Sequence, residues 1–441
     1  MEAPDRPASV YRRLLGNAGY ARVFVAGLGS TAGSSIASVC LVWIVFVATG
    51  SPLDVGLLAA AWLIAGVLFS VFGGTLVDRY DRRRLMIGAD LARAAAMGVV
   101  ASVLELHGFD LGTVLTAYFL VGAFTTIFNP AEQAIVPALV ETPLVADANG
   151  LVRSSRSALS FIGYAVGGVL IVSVGAVWGV AANAATFALS AVLLFGMTVR
   201  PVPELARRAK PSYFADVRAG FRWLGKATGF LELTISATFF NFCSSLVGTF
   251  IVVFVTLLLH GSALVFAVLL ALNAAGTGVG SLLVSRTRAV RWAGRAWTVG
   301  AGAGSGAAAV ALALFPSVPV AAVCLFAIGA LGGFAGTAWL TAAQLLVPPE
   351  MQGRYFGIDN LGSVAIIPAA QIGGALLIES YGVQPTYLWV AVLWVVSGIV
   401  FLVPKALATL AYPPPGPASV TPQIGADAAG KSESPGENRL A

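Results

Sequence analysis

The sequence predicts an all-α integral membrane protein, with twelve transmembrane helices arranged as two pseudo-symmetric six-helix bundles. Three observations carry this prediction: an overwhelmingly apolar composition, twelve long apolar runs, and a one-sided distribution of positive charge. Of the 441 residues, 58% are hydrophobic and 10% charged, and the mean hydropathy is +0.87. A soluble domain carries about 25% charged residues, so a water-soluble fold is excluded. Crossing a hydrocarbon core about 30 Å thick takes about 20 apolar residues.

Taken in order, the apolar runs predict helices near 22–49, 55–77, 85–106, 111–138, 148–174 and 176–199 in the first half. The second half reads 230–259, 262–285, 295–315, 318–347, 355–380 and 386–410. The organisation is therefore an N-terminal segment over 1–21, bundles over 22–199 and 230–410, a linker over 200–229 and a tail over 411–441. The linker mixes Arg207, Arg208 and Lys210 with Tyr213, Phe214, Phe221 and Trp223, which predicts an amphipathic helix on the membrane surface. The tail, rich in Pro, Ser, Gly and Glu, is expected to be disordered.

With both termini in the cytoplasm, the inner loops, tails and adjoining helix ends hold all 26 Lys and Arg residues, as the positive-inside rule requires. An odd number of helices would put one half's basic loops outside. The halves also echo one another. Ala131 to Pro137 matches Ala342 to Pro348, Gly73 to Arg79 matches Gly280 to Arg286, and Gly167-Gly168 matches Gly373-Gly374. Such repeats flank a midplane cavity in many transporters. The first apolar run is too long for a signal peptide, so the N terminus is expected to stay in the mature chain. Cys40, Cys243 and Cys324 lie in separate apolar runs and read as small packing residues.

The strongest local pattern is Gly73-Gly74-Thr-Leu-Val-Asp78-Arg79-Tyr-Asp81-Arg82-Arg83-Arg84, between the second and third helices. It resembles the signature loop of the major facilitator superfamily. That resemblance implies a conformational latch built from Gly74, Asp78, Arg79, Arg82 and Arg83, which steadies the outward-facing state. The alternative is a run of solvated arginines that only sets topology. The second-half copy has Ser285 in the place of Asp78. The segments Phe128-Asn129-Pro130-Ala-Glu132-Gln133 and Pro349-Glu350-Met-Gln-Gly353-Arg354 resemble motifs of the twelve-helix drug-efflux branch, which includes macrolide and enterobactin exporters. The resemblance spans about Tyr11 to Leu402.

Asp90 and Arg93, three apart on the third helix, share a face inside the membrane, where an unpaired charge costs ~2.5–3.5 kcal/mol. They are expected to pair with each other or with the loop cluster. Asp90, Arg93, Glu132 and Asp359 form the predicted intramembrane charge network, and Asp90, Glu132 and Asp359 are the candidate proton carriers, with structural ion pairing as the alternative. The chain departs from the drug-efflux pattern at Gly33-Ser34, where that branch often carries an aspartate, and at Tyr118, where many antiporters carry an arginine. Polar and aromatic residues of the first, fourth, seventh and tenth helices define a tentative substrate cavity: Ser34, Ser35, Trp43, Phe124, Phe128, Phe239, Asn241 and Trp339. A cavity so short of charge suits an amphipathic or apolar solute.

No Walker loop is present, and no nucleophile has an evident base, so ATP use and catalysis are not expected. The expected protein needs no cofactor, metal or nucleic acid. It works in the inner membrane as a functional monomer, exporting small amphipathic molecules by alternating access, with protons as the counter-substrate. The alternatives are a siderophore or metabolite exporter, an uncoupled facilitator, or a non-transporting sensor or scaffold.

Overall fold

The computed structural model describes residues 7–141, 144–197, 222, 225, 230–286, 302–347, 355 and 366–399. A short amphipathic helix, α1 (Pro7–Gly16), precedes six long ones: α2 (Ala18–Thr49), α3 (Pro52–Arg79), α4 (Arg82–Leu106), α5 (Leu111–Leu139), α6 (Val145–Ser173) and α7 (Ala176–Phe195). The second half contributes α8 (Phe230–Thr249), α9 (Ile251–Leu257), α10 (Ala263–Arg286), α11 (Ser305–Leu314), α12 (Val318–Leu346), α13 (Ile367–Tyr381) and α14 (Val383–Ile399). Among the described residues eight helices are long and apolar enough to cross a membrane, and α8 with α9, bent by 42° at Phe250, makes a ninth span. Among the described residues the other three predicted runs contain α11, α13 and α14.

The starts of the helices follow from local chemistry. Asn17, Ser51, Asp81 and Asp110 sit at the N-caps of α2, α3, α4 and α5, each accepting a hydrogen bond from the backbone N–H three residues on. The Asn17 cap starts α2 at Ala18, four residues before the apolar run alone indicates. Asp81 of the signature loop thus has a structural task, starting α4. The sixth run, predicted to reach residue 199, ends its helix at Phe195, with Gly196 as the C-cap. The predicted surface helix in the linker and the disordered tail lie outside the described residues.

One end of the bundle carries turns free of Lys and Arg, and five of these hold a residue with positive φ: Gly50, Gly108, Gly175, His260 and Gly382. At this end the halves meet. Trp43 of α2 stacks on Phe266 of α10 with ring centroids 6.3 Å apart. Gly168 of α6 abuts Ala267 of α10, and Gly56 of α3 abuts Gln371 and Ala375 of α13. Glu379 of α13 accepts hydrogen bonds from Ser51 Oγ (3.2 Å) and the Leu53 N–H (3.3 Å) at the start of α3. The largest group of buried apolar side chains runs through both halves, from Val39 and Phe46 to Phe254 and Tyr387. All three cysteines are free and buried.

Candidate functional site

In the first half, α4, α5, α6 and α7 bring charged side chains together inside the bundle. Asp90 and Arg93, fully and nearly fully buried at 0% and 4% exposure, form an ion pair on one face of α4. The second carboxylate oxygen of Asp90 accepts a 2.6 Å hydrogen bond from Ser190 Oγ of α7, and Arg93 Nη1 donates to Thr125 Oγ1 of α5 at 3.5 Å. Arg93 Cζ lies over the rings of both Phe128 and Phe187, 4.3 and 4.4 Å from their centroids. A delocalised cation over two aromatic rings, with a carboxylate at its edge, is how an arginine tolerates an apolar interior.

A second pair lies nearby, where Arg156 Nη2 of α6 donates to Glu132 Oε1 of α5 at 2.6 Å. The pair rests against Gly27 of α2, where a Cβ would come within 2.5 Å of Glu132 Oε1 and 2.9 Å of Arg156 Nη2. Glu132 also interacts electrostatically with Arg93, so two carboxylates and two guanidiniums form one cluster of zero net charge. The cluster ties α2, α4, α5, α6 and α7 into a unit.

Asp90, Arg93 and Glu132 are thus brought together, while Asp359 lies outside the described residues. Gly74 and Asp78 fall in the last turns of α3, and the exposed Arg79 ends it. Arg82 Nη1 donates to the Ala134 carbonyl of α5 at 2.8 Å. Arg83 Nε donates to the Leu194 carbonyl at 2.9 Å, and Arg83 Nη2 donates to that of Phe195. Arg83 therefore covers the C-terminal carbonyls of α7, the end of a helix that favours cations, while Arg82 reaches a carbonyl five residues before the end of α5.

Of the tentative cavity residues, Ser34 is exposed on α2, whereas Ser35 is buried, donating to the Thr31 carbonyl at 3.0 Å. Phe128 lies under Arg93, and Trp43 sits in the contact between halves. Phe124 is half-buried, packed against the group containing Phe128 and Leu194. Phe239 and Asn241 are half-buried on α8, and Trp339 Nε1 donates to Tyr355 Oη at 3.4 Å. Sequence reasoning did not single out Arg156, Thr125, Ser190, Phe187 or Gly27 as part of the site. Arg156 alone left a usable signal, as a charge within an apolar run.

Membrane-length helices in two halves that meet at one end, with a neutral charge cluster inside the first, define a multi-pass membrane transporter. The chain belongs to the Major Facilitator Superfamily, whose profile matches residues 23–370. Macrolide efflux protein A of Streptococcus pyogenes is 24% identical over 367 residues, covering 80% of this chain and 88% of that protein. Multidrug efflux pump Tap of Mycobacterium tuberculosis (strain ATCC 25618 / H37Rv) is 24% identical over 404 residues, covering 89% and 94%. Among solved structures, the nucleoside transporter NupG superposes with a TM-score of 0.69 at 12% identity, covering 89% of this chain and 99% of that one. An inward-facing, unoccupied bacterial homologue of the human lysosomal transporter Spinster gives 0.63 at 15% identity, covering 89% and 97%. These likenesses show the fold.

Proposed function

We propose that the protein is a secondary active transporter that exports small amphipathic molecules by alternating access, with proton antiport as its driving reaction. The observation that carries this reading is the near full-length similarity to a macrolide efflux protein and a multidrug efflux pump. The protein works as a monomer in the cytoplasmic membrane with both termini inside, which puts the Lys- and Arg-free turns outside. Contact between the halves at those turns is what a cavity open to the cytoplasm requires. Asp90, Glu132 and Asp359 are the residues proposed to carry protons. Gly74, Asp78, Arg79, Arg82 and Arg83 form the latch, and the bonds of Arg82 and Arg83 to α5 and α7 would couple that loop to the helices holding Glu132 and Ser190. Ser34, Ser35, Trp43, Phe124, Phe128, Phe239, Asn241 and Trp339 remain the proposed surroundings of the solute, with Phe128 contributing through its hold on Arg93.

Uptake of lipophilic cations, macrolides and siderophores into inverted vesicles, with and without an imposed pH gradient, tests this. Accumulation that depends on the gradient is the expected result. A second reading, an uncoupled facilitator, is favoured by one observation: both buried carboxylates among the described residues already have arginine partners. Equilibration independent of the gradient would select it.

A further inference from the structure

The charge cluster belongs to the first half, and the second half holds a cavity of different character. Helices α10 and α12 pack backbone to backbone. A Cβ added to Gly329 would come within 2.0 Å of the Asn273 carbonyl oxygen, and one added to Gly333 within 2.2 Å of that of Thr277. Beside this contact, a cavity of about 230 Å³ lies between α10, α12 and α8. One residue face of α8 lines it, including Phe240 and Ser244, and Asn273 and Thr277 line it from α10. No charged residue is among its lining.

Two polar groups in this wall have bonding capacity to spare among the described residues. The hydroxyl of Ser244 is buried with no partner. The Asn273 amide uses its Nδ2 on the Leu325 carbonyl, at 2.9 Å, which leaves the acceptor end of the amide unengaged. Burying a hydroxyl without a partner is unfavourable, and a bound hydroxyl or carbonyl would relieve it. The wall is otherwise apolar, apart from Thr277, whose hydroxyl bonds the Asn273 carbonyl of its own helix at 3.0 Å.

We propose that this cavity is a binding subsite for an uncharged, compact apolar group bearing one hydroxyl or carbonyl, held by Ser244 and Asn273 and walled by Phe240. Its volume lies below the roughly 300–1,000 Å³ of sites that enclose a whole drug-sized molecule. It therefore takes one part of a larger amphipathic solute, or a small neutral one entire. That the ligand is cargo rests on the export reading; that the site binds does not.

The test uses 1-adamantanol, a rigid neutral cage with one hydroxyl, and adamantane as its hydroxyl-free counterpart. Binding to the purified full chain in nanodiscs is followed by saturation-transfer NMR, with empty nanodiscs subtracted. The wild type is expected to bind 1-adamantanol more tightly than adamantane. Ser244→Ala should weaken 1-adamantanol about 5-fold while leaving adamantane unchanged, a split that damage to the fold would not produce. Gly248→Leu should abolish binding of both, because Gly248 lines the cavity and a Cβ built there meets nothing within 4 Å, so the leucine side chain has room to occupy that space. No wild-type binding above empty nanodiscs, or equal affinities in all three proteins, overturns the proposal. Binding without vesicle uptake of any compound would overturn the export reading and leave the subsite standing.

Discussion

Arg93 is held in the bilayer by neighbours from three helices, and its replacement by alanine removes the only arginine bonded to the fully buried Asp90 among the described residues. Removing one partner of a buried pair costs ~3–5 kcal/mol, whereas replacing both by apolar side chains of similar size is often close to neutral. Arg93→Ala should therefore lower the folded yield and the Tm of the purified chain, and Asp90→Leu combined with Arg93→Met should recover most of the loss. A double variant as unstable as the single would show that Ser190, Thr125 and the two phenylalanines hold the site through the charges themselves. That Asp90 and Arg93 pair was legible in the sequence, because three-residue spacing on a helix puts both on one face. The role of Phe128 was not. An aromatic ring in an apolar helix carries no mark that distinguishes a solute wall from the cover over an arginine.

Helix ends were more legible than helix faces. The predicted starts at 111, 176 and 318 coincide with those of α5, α7 and α12, because hydropathy falls sharply where a chain leaves lipid. Which residue faces which neighbour is obscured in helices that are apolar all round, since a core-facing stripe does not stand out. Ser190 meets Asp90 only through the register of α7 against α4, and the bend at Phe250 falls within an unbroken apolar run. The caps are local and testable. The exposed Asp110 at the start of α5 has its carboxyl held below its ordinary value by hydrogen bonds from the Thr113 side chain and backbone. A depressed folded-state value means the cap stabilises above the unfolded carboxylate pKa of about 3.9 and loses this effect as pH falls through the lower folded value. Thermal unfolding followed from pH 6 down to pH 3 should show the Tm of the wild type falling toward that of Asp110→Ala at the acid end.

At the scale of the molecule, the two halves are clasped where Glu379 reaches the first turn of α3. There a carboxylate meets the Ser51 hydroxyl and the Leu53 N–H, one of the groups that the helix leaves unpaired, at the positive end of its dipole. Separating the halves at this end breaks that contact, together with the Trp43–Phe266 stack and the abutment of Gly168 on Ala267. A hydrogen bond is worth ~0.5–1.5 kcal/mol net, or roughly a 2- to 13-fold change in an equilibrium. Glu379→Ala is thus expected to speed alkylation of a cysteine placed at Ala267, now sealed between α6 and α10, by a factor in that range. Unchanged labelling would mean that apolar contacts alone close this end. The repeat and the charge asymmetry made two halves legible, but the residues joining them carry no sequence signature.

The burial of Cys40, Cys243 and Cys324 has a practical consequence for such labelling. All three thiols are unpaired and screened from water, and each sits where a serine or alanine substitution would disturb packing. A chain that keeps its own sulfurs out of reach is close to chemically silent toward water-soluble maleimides. One engineered thiol at a time can then report on the breathing of the transporter against a dark native background, without first stripping the protein of its cysteines.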